Sequence, residues 1–98
     1  MTEQPVTVVA NVIAKANDIE QVERALTELV TQTRKEVGCI CYDLHKNNDN
    51  PAHFVVYEIW QSEQALQAHA ASAHFQAYGA AVEGMVERFS VDKMTKIA

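Results

Sequence analysis

Most of the side chains that could do chemistry in this chain lie between Phe54 and Tyr78. This stretch holds the only tryptophan, two of the four histidines, two of the three phenylalanines and two of the three tyrosines. His69 lies in a predicted helix, and an imidazole exchanges protons near neutral pH, so His69 could act as a general base. Glu58, in the preceding apolar strand, could orient His69 or be a buried carboxyl group with a raised pKa.

Aromatic side chains around these two residues could form the walls of a pocket for an aromatic ring. The candidates for substrate contact are Trp60, Tyr42, Phe75, Tyr78 and His74. Each also has a structural interpretation. A histidine on an apolar helix face is often only a hydrogen-bonded structural residue, and Trp60 could belong to the core or to a subunit interface. Glu58 could simply accept hydrogen bonds that hold subunits together.

Asn11 interrupts an otherwise apolar run, PVTVVANVIA, at the start of the chain. An amide inside such a strand must be hydrogen-bonded, because leaving it unpaired costs about 1–3 kcal/mol. Two interpretations stay open. Asn11 could bond a neighbouring loop, or it could hold an oxygen atom of a substrate.

Composition narrows the possible partners. The chain has 98 residues, 48% of them hydrophobic, and a net charge of −5 with no basic run, which argues against nucleic acid or an anionic membrane as a partner. No apolar segment is long enough to cross a bilayer, and the first residues lack the features of a secretory signal.

The two cysteines, Cys39 and Cys41, would point the same way from a strand, in poor geometry for a disulfide, and C-x-C is a weak metal motif. We therefore expect reduced thiols, a cytoplasmic location and no metal site.

The hydrophobic periodicity predicts one domain over residues 1–98 with the order βαββαβ. The predicted elements are a strand over residues 5–14, a helix over 19–37, strands over 39–45 and 54–60, a helix from 63 to about 87, and a strand over 89–97. Asp18 with Gln21 resembles a capping box, Gly38 is expected to end the first helix in a left-handed conformation, and Ser62 and Ser72 are expected to be helix caps.

This order predicts a ferredoxin-like α+β fold, in which two helices cover one face of a four-stranded antiparallel sheet. Both faces of the first strand are apolar, and helices can cover only one of them. The sequence therefore also predicts a homodimer, because an apolar face of that size is rarely left in water.

The chain resembles the antibiotic biosynthesis monooxygenase (ABM) family. The matching positions are Glu36, Gly38, Cys39 and Tyr42; Phe54, Tyr57, Glu58 and Trp60; Ala65 and His69; and His74 with Phe75. Val37 stands where the family usually has proline. The resemblance implies a dimeric α+β barrel with a pocket between sheet and helices in each subunit. Some members oxygenate quinols or anthrone-like compounds with O2 and no metal, flavin or haem.

Other branches of the family imply other activities. One isomerises a phosphorylated breakdown product of autoinducer-2, but this chain has no glycine-rich phosphate loop. The haem-degrading branch uses Asn, Trp and His; Asn11 matches the first, whereas the other two positions fall on His69 and Gly79.

The sequence thus favours a cofactor-independent monooxygenase acting on a small aromatic substrate with O2. His69 would be the base, with Asn11 and Glu58 as the other catalytic residues. The alternatives are an isomerase of the autoinducer-2 phosphate processing type and a non-catalytic dimeric barrel that binds a metabolite or takes part in stress response.

Overall fold

A computed structural model describes residues 4–98 as seven elements around one sheet. They are β1 (Val6–Ala14), α1 (Ile19–Thr33), β2 (Cys39–Lys46), β3 (His53–Trp60), α2 (Glu63–Ala70), α3 (Ala73–Ala81) and β4 (Val86–Met94). The strands pair antiparallel in the order β2-β3-β1-β4. The ferredoxin-like α+β arrangement is confirmed, with the second helical region divided into α2 and α3. None of the described helices has the length and apolar character needed to cross a membrane.

The strand β1 has two distinct faces, as its alternation predicts. The inner face, toward the helices, is fully buried: Val8, Ala10, Val12 and Ala14. The amphipathic helix α1 covers part of this face with four apolar side chains, Val22, Leu26, Leu29 and Val30. The outer face of β1 is only half-buried, and its strand neighbour Tyr57 is 41% exposed. A homodimer formed through this outer face stays a prediction.

The helix α1 is shorter than predicted. It ends at Thr33, and Val37 is 99% exposed instead of lying on the buried face. Asp18 precedes the helix but its side chain makes no capping hydrogen bond, so the predicted capping box is wrong. Gly38 is not in the left-handed region either, because the chain leaves α1 through a short turn and enters β2 directly.

A left-handed glycine instead ends the second helical region. Gly84 has φ 80°, a conformation that favours glycine, and it lies in the turn between α3 and β4. The Lys15 amide then donates to the Met85 carbonyl at 2.9 Å, which ties this turn to the end of β1. The helix therefore stops before residue 87, and β4 starts at Val86 instead of Phe89.

A register shift in β2 separates the two cysteines. Cys39 pairs with Trp60 and Cys41 pairs with Ile59, so Ile40 is an extra residue and is 60% exposed. Cys39 consequently packs against the core, whereas Cys41 lies on the outer face, where its thiol donates to Asp43. The prediction that both thiols point the same way is wrong, and both are free.

The caps predicted for the two short helices are confirmed. The Ser62 hydroxyl accepts from the Ala65 amide and the Ser72 hydroxyl accepts from the Phe75 amide, each at 3.2 Å. These bonds satisfy amides that have no partner within a helix. They fix where α2 and α3 begin, and hence where His69 and Phe75 lie.

Gly38 has a packing role that yields a stability prediction. A Cβ atom at residue 38 would clash with the Cβ of Ala65 in α2, which cannot rotate away. We expect Gly38→Ala to lower the free energy of unfolding by about 1–3 kcal/mol, measured by urea titration. Gly79→Ala is the control, since a Cβ atom at residue 79 would meet no atom within 4 Å apart from the adjoining backbone of α3. It should raise stability by roughly 0.5–1 kcal/mol. Equal unfolding midpoints for Gly38→Ala and wild type would contradict the packing argument.

Candidate functional site

A cavity of about 530 Å³ lies between the inner face of the sheet and the three helices. Its floor comes from the buried residues of β1 and from Val56 and Glu58 of β3, and its walls from α1, α2 and α3. The edge strand β4 contributes Phe89 and Val91, which stay 55% and 46% exposed because no helix covers them. The cavity therefore opens along β4. Its size is within the range of small-molecule sites.

His69 lies in the last turn of α2 and is buried against aromatic rings. Its ring centroid is 4.7 Å from that of Trp60, 5.0 Å from that of Phe75 and 5.3 Å from that of Tyr42. Burial lowers the pKa of His69, while the hydrogen bond and charge of Glu36 act in the opposite direction. The burial effect is the larger one, so the neutral form of the imidazole is favoured over the charged form.

Glu36, in the turn before β2, fixes the proton on this imidazole. Its Oε2 atom lies 2.7 Å from Nδ1 of His69 and 2.7 Å from Nε2 of His74. A carboxylate only accepts hydrogen bonds, so Nδ1 of His69 carries the proton. In a neutral ring, Nε2 then carries a lone pair and acts as a hydrogen-bond acceptor. It faces the Tyr42 hydroxyl at 3.5 Å, beside the cavity that both residues line.

Glu58 is the second titratable group at the cavity and is 5% exposed. Burial raises the pKa of Glu58 to about 7. The Trp60 indole N–H, which donates to Oε1 at 2.8 Å, acts against this rise, whereas the negative charge of Glu36 increases it. Glu58 thus changes its charge close to neutral pH. The structure brings Glu58 and His69 to the same cavity, as expected.

The aromatic walls are mostly where the sequence predicts them. Tyr42, Phe75 and Tyr78 line the cavity. Burial raises the pKa of Tyr78 to about 12, and it raises the pKa of Tyr42 above that value. Both tyrosines therefore stay neutral donors. Trp60 does not line the cavity: it is fully buried behind His69 and holds Glu58. His74 also lies outside this cavity, bonded to Glu36 on the far side of His69.

Asn11 does not join the site. Residues 8, 10 and 12 of β1 line the cavity, so the alternation of the strand places Asn11 on the opposite face of the sheet. Its Oδ1 atom accepts a hydrogen bond from Nε2 of His53 at 2.8 Å. The prediction that Asn11 reaches into the pocket is therefore wrong for the cavity of this chain, and its carbonyl oxygen is paired with His53 of β3 instead. His53, the first residue of β3, is half-buried.

Glu36 is the residue of the site that the sequence analysis missed. It stands in the Glu-x-Gly-Cys part of the family pattern, which was the available signal. A carboxylate near the end of the predicted amphipathic helix over residues 19–37, however, is typical of a solvent-exposed position. Its partners are 33 and 38 residues away in sequence.

One ion pair borders the cavity. The Lys93 ammonium of β4 donates to Glu63 of α2 at 2.8 Å, and both residues are in the lining. Among the described residues that line the cavity, Lys93 is the only cation, and this contact already neutralises it.

The sheet, the covering helices and the cavity define a ferredoxin-like α+β domain with a cavity between the sheet and the helices. The family model for antibiotic biosynthesis monooxygenase matches residues 5–81, and the chain belongs to this family. It is 32% identical over 84 residues to Rv0793 of Mycobacterium tuberculosis, a provisionally named monooxygenase; the match covers 86% of this chain and 82% of that protein.

Solved structures agree with this assignment. The crystal structure of PA3566 from Pseudomonas aeruginosa superposes with a TM-score of 0.94 at 30% identity, over 100% of this chain and 99% of that one. The structure of Rv0793 superposes with a TM-score of 0.90 at 29% identity, over 97% of each chain.

Proposed function

We propose that this protein is a cofactor-independent monooxygenase that oxidises a quinol or a similar electron-rich aromatic compound with O2. The observation that carries the proposal is the position of His69. Its Nε2 lone pair points to the Tyr42 hydroxyl at the edge of an apolar cavity that both residues line, while Glu36 holds the proton on Nδ1. This is the arrangement that a general base requires, with an orienting group on the opposite ring nitrogen.

The reaction begins with proton transfer. His69 takes the proton of a phenolic hydroxyl, and the resulting phenolate can give one electron directly to O2. Recombination of the two radicals forms a carbon–oxygen bond, and loss of water leaves a carbonyl group. For hydroquinone, one O2 gives 2-hydroxybenzoquinone and one water, so the substrate supplies all the electrons. The imidazolium of His69 and the neutral Tyr42 hydroxyl can stabilise the phenolate, and the apolar walls exclude water from the radical pair.

An isomerase acting on a phosphorylated compound has less support. A phosphate group needs several donors or free cations, or the N-terminus of a helix, to hold its charge. Lys93 is paired with Glu63, and Glu58 adds a buried acidic group to the same cavity. The cavity is therefore better suited to a neutral ring than to a dianion.

Oxygen uptake with a panel of hydroquinones, naphthoquinols and anthrones tests the proposal. The protein is first treated with EDTA and dialysed. We expect uptake that is proportional to protein concentration and a product that contains one atom of ¹⁸O from ¹⁸O2. No turnover is expected under nitrogen. Uptake equal to the protein-free background across the whole panel would refute a monooxygenase of this substrate class, and turnover retained under nitrogen would favour an isomerase.

A further inference from the structure

On its Nδ1 side, away from the cavity, His69 belongs to a cluster of three side chains, of which His74 has no role in the proposed reaction. Glu36, His69 and His74 come from three different segments: the turn before β2, the end of α2 and the first turn of α3. One ligand atom from each, a carboxylate oxygen and two imidazole nitrogens, lies within 4.8 Å of the other two. The carboxylate oxygen is 2.7 Å from each nitrogen.

We propose that Glu36, His69 and His74 form a binding site for a divalent transition-metal ion, with Zn²⁺ as the representative ion. Two imidazoles and one carboxylate are a ligand set of catalytic zinc sites and of facial iron(II) sites. Calcium and magnesium prefer oxygen ligands alone, so this set discriminates against them. No metal motif is visible in the sequence, because the three ligands come together only in the fold.

The surroundings of the cluster suit a partly open metal site. The side-chain exposures of His69, Glu36 and His74 are 4%, 17% and 24%, so the cluster is shielded on the cavity side and reachable from the His74 side. A second cavity, of about 300 Å³, has His74 and Tyr78 in its wall and offers a route for the ion and for water as further ligands.

Metal binding would change the proton on His69. An ion at Nδ1 uses the lone pair there, so the ring proton must lie on Nε2, the nitrogen that faces Tyr42 and the cavity. Nε2 would then be a donor and could not accept a proton from a substrate. The ion would therefore inhibit the base. This consequence rests on the proposed function, whereas metal binding itself does not.

Titration of the EDTA-treated, tag-free protein with Co²⁺ tests the site. We expect visible d–d absorption bands that saturate at one ion per chain and disappear when Zn²⁺ is added. Glu36→Gln keeps the shape but removes the charge and should weaken Co²⁺ binding by at least about tenfold. His74→Gln should do the same, whereas His45→Gln, an exposed histidine outside the cluster, should bind as wild type does. The absence of d–d bands, or unchanged binding by Glu36→Gln and His74→Gln, would overturn the proposal.

Two further measurements separate this inference from the proposed function. Long-range ¹H–¹⁵N NMR of the histidine rings should show Zn²⁺ shifting Nδ1 of His69 and Nε2 of His74, and a spectrum unaffected by Zn²⁺ would again exclude the site. If quinol oxidation is observed, Zn²⁺ should inhibit it at the concentrations that displace Co²⁺, and EDTA should restore it. If no quinol is oxidised, the Co²⁺ and NMR results still decide whether the metal site exists.

Discussion

Replacing His69 by glutamine is expected to lower the rate of quinol-dependent oxygen uptake by about 10²- to 10⁴-fold, the usual contribution of a general base. Glutamine is similar in size and can still hydrogen-bond Glu36, so the packing against Trp60 and Phe75 should survive. An amide cannot take a phenolic proton at neutral pH. The measurement is kcat with an oxygen electrode at saturating quinol, with near-ultraviolet circular dichroism to check the fold.

The matched control for this experiment is His45→Gln. His45 is exposed in β2 and its ring hydrogen-bonds the carbonyl of Asp43, so its loss should leave oxygen uptake unchanged.

The wild-type rate of oxygen uptake should also fall at acidic pH. The base must be neutral, and burial lowers the pKa of His69 below 6.5, so the acid limb of the profile should lie below that value. A His69→Gln rate within about threefold of wild type would remove His69 from the role of base.

The parts of the site that depend on local periodicity could be predicted from the sequence. Alternation in β3 places Glu58 on the same face as the buried Phe54 and Val56, and helical spacing after Ser62 places His69 on the inner side of α2. These patterns have fixed periods of two and 3.6 residues, so they determine the face of each side chain once the element is identified. The element order followed from the same periods, and two of the three predicted N-terminal caps, those at Ser62 and Ser72, followed from residue type.

The parts that depend on register and on long-range contact could not be predicted. Alternation alone could not place Asn11, because both faces of β1 are apolar and the sequence does not mark which of them meets the helices; the fold puts it opposite Val8 and Ala10. The extra residue Ile40 in β2 reverses the orientation of Cys39 relative to Cys41, and no local signal marks it. The cluster around Glu36 joins residues more than 30 positions apart, so only the packing of α2 and α3 against the turn before β2 reveals it.

Stability is expected to fall as the pH rises through neutrality, because of Glu58. The folded state holds the Glu58 proton with a pKa of about 7, against 4.5 for the unfolded chain. The folded-state pKa is raised, so this stabilisation is fully present below pH 4.5 and is lost as the pH passes about 7. At about 1.4 kcal/mol per unit, the difference amounts to roughly 3 kcal/mol.

Glu58→Gln isolates this contribution, because the amide oxygen can still accept the Trp60 indole proton and carries no charge at any pH. Relative to wild type, the variant should gain up to about 3 kcal/mol in free energy of unfolding between pH 4.5 and pH 8. Urea titrations followed by the fluorescence of Trp60, the only tryptophan, measure the difference. Glu87→Gln, an exposed carboxyl in β4, should show no such pH-dependent gain. A constant difference between Glu58→Gln and wild type across this range would mean that the Glu58 carboxyl titrates alike in the folded and unfolded chains. Its burial beside the cavity would then carry no electrostatic cost.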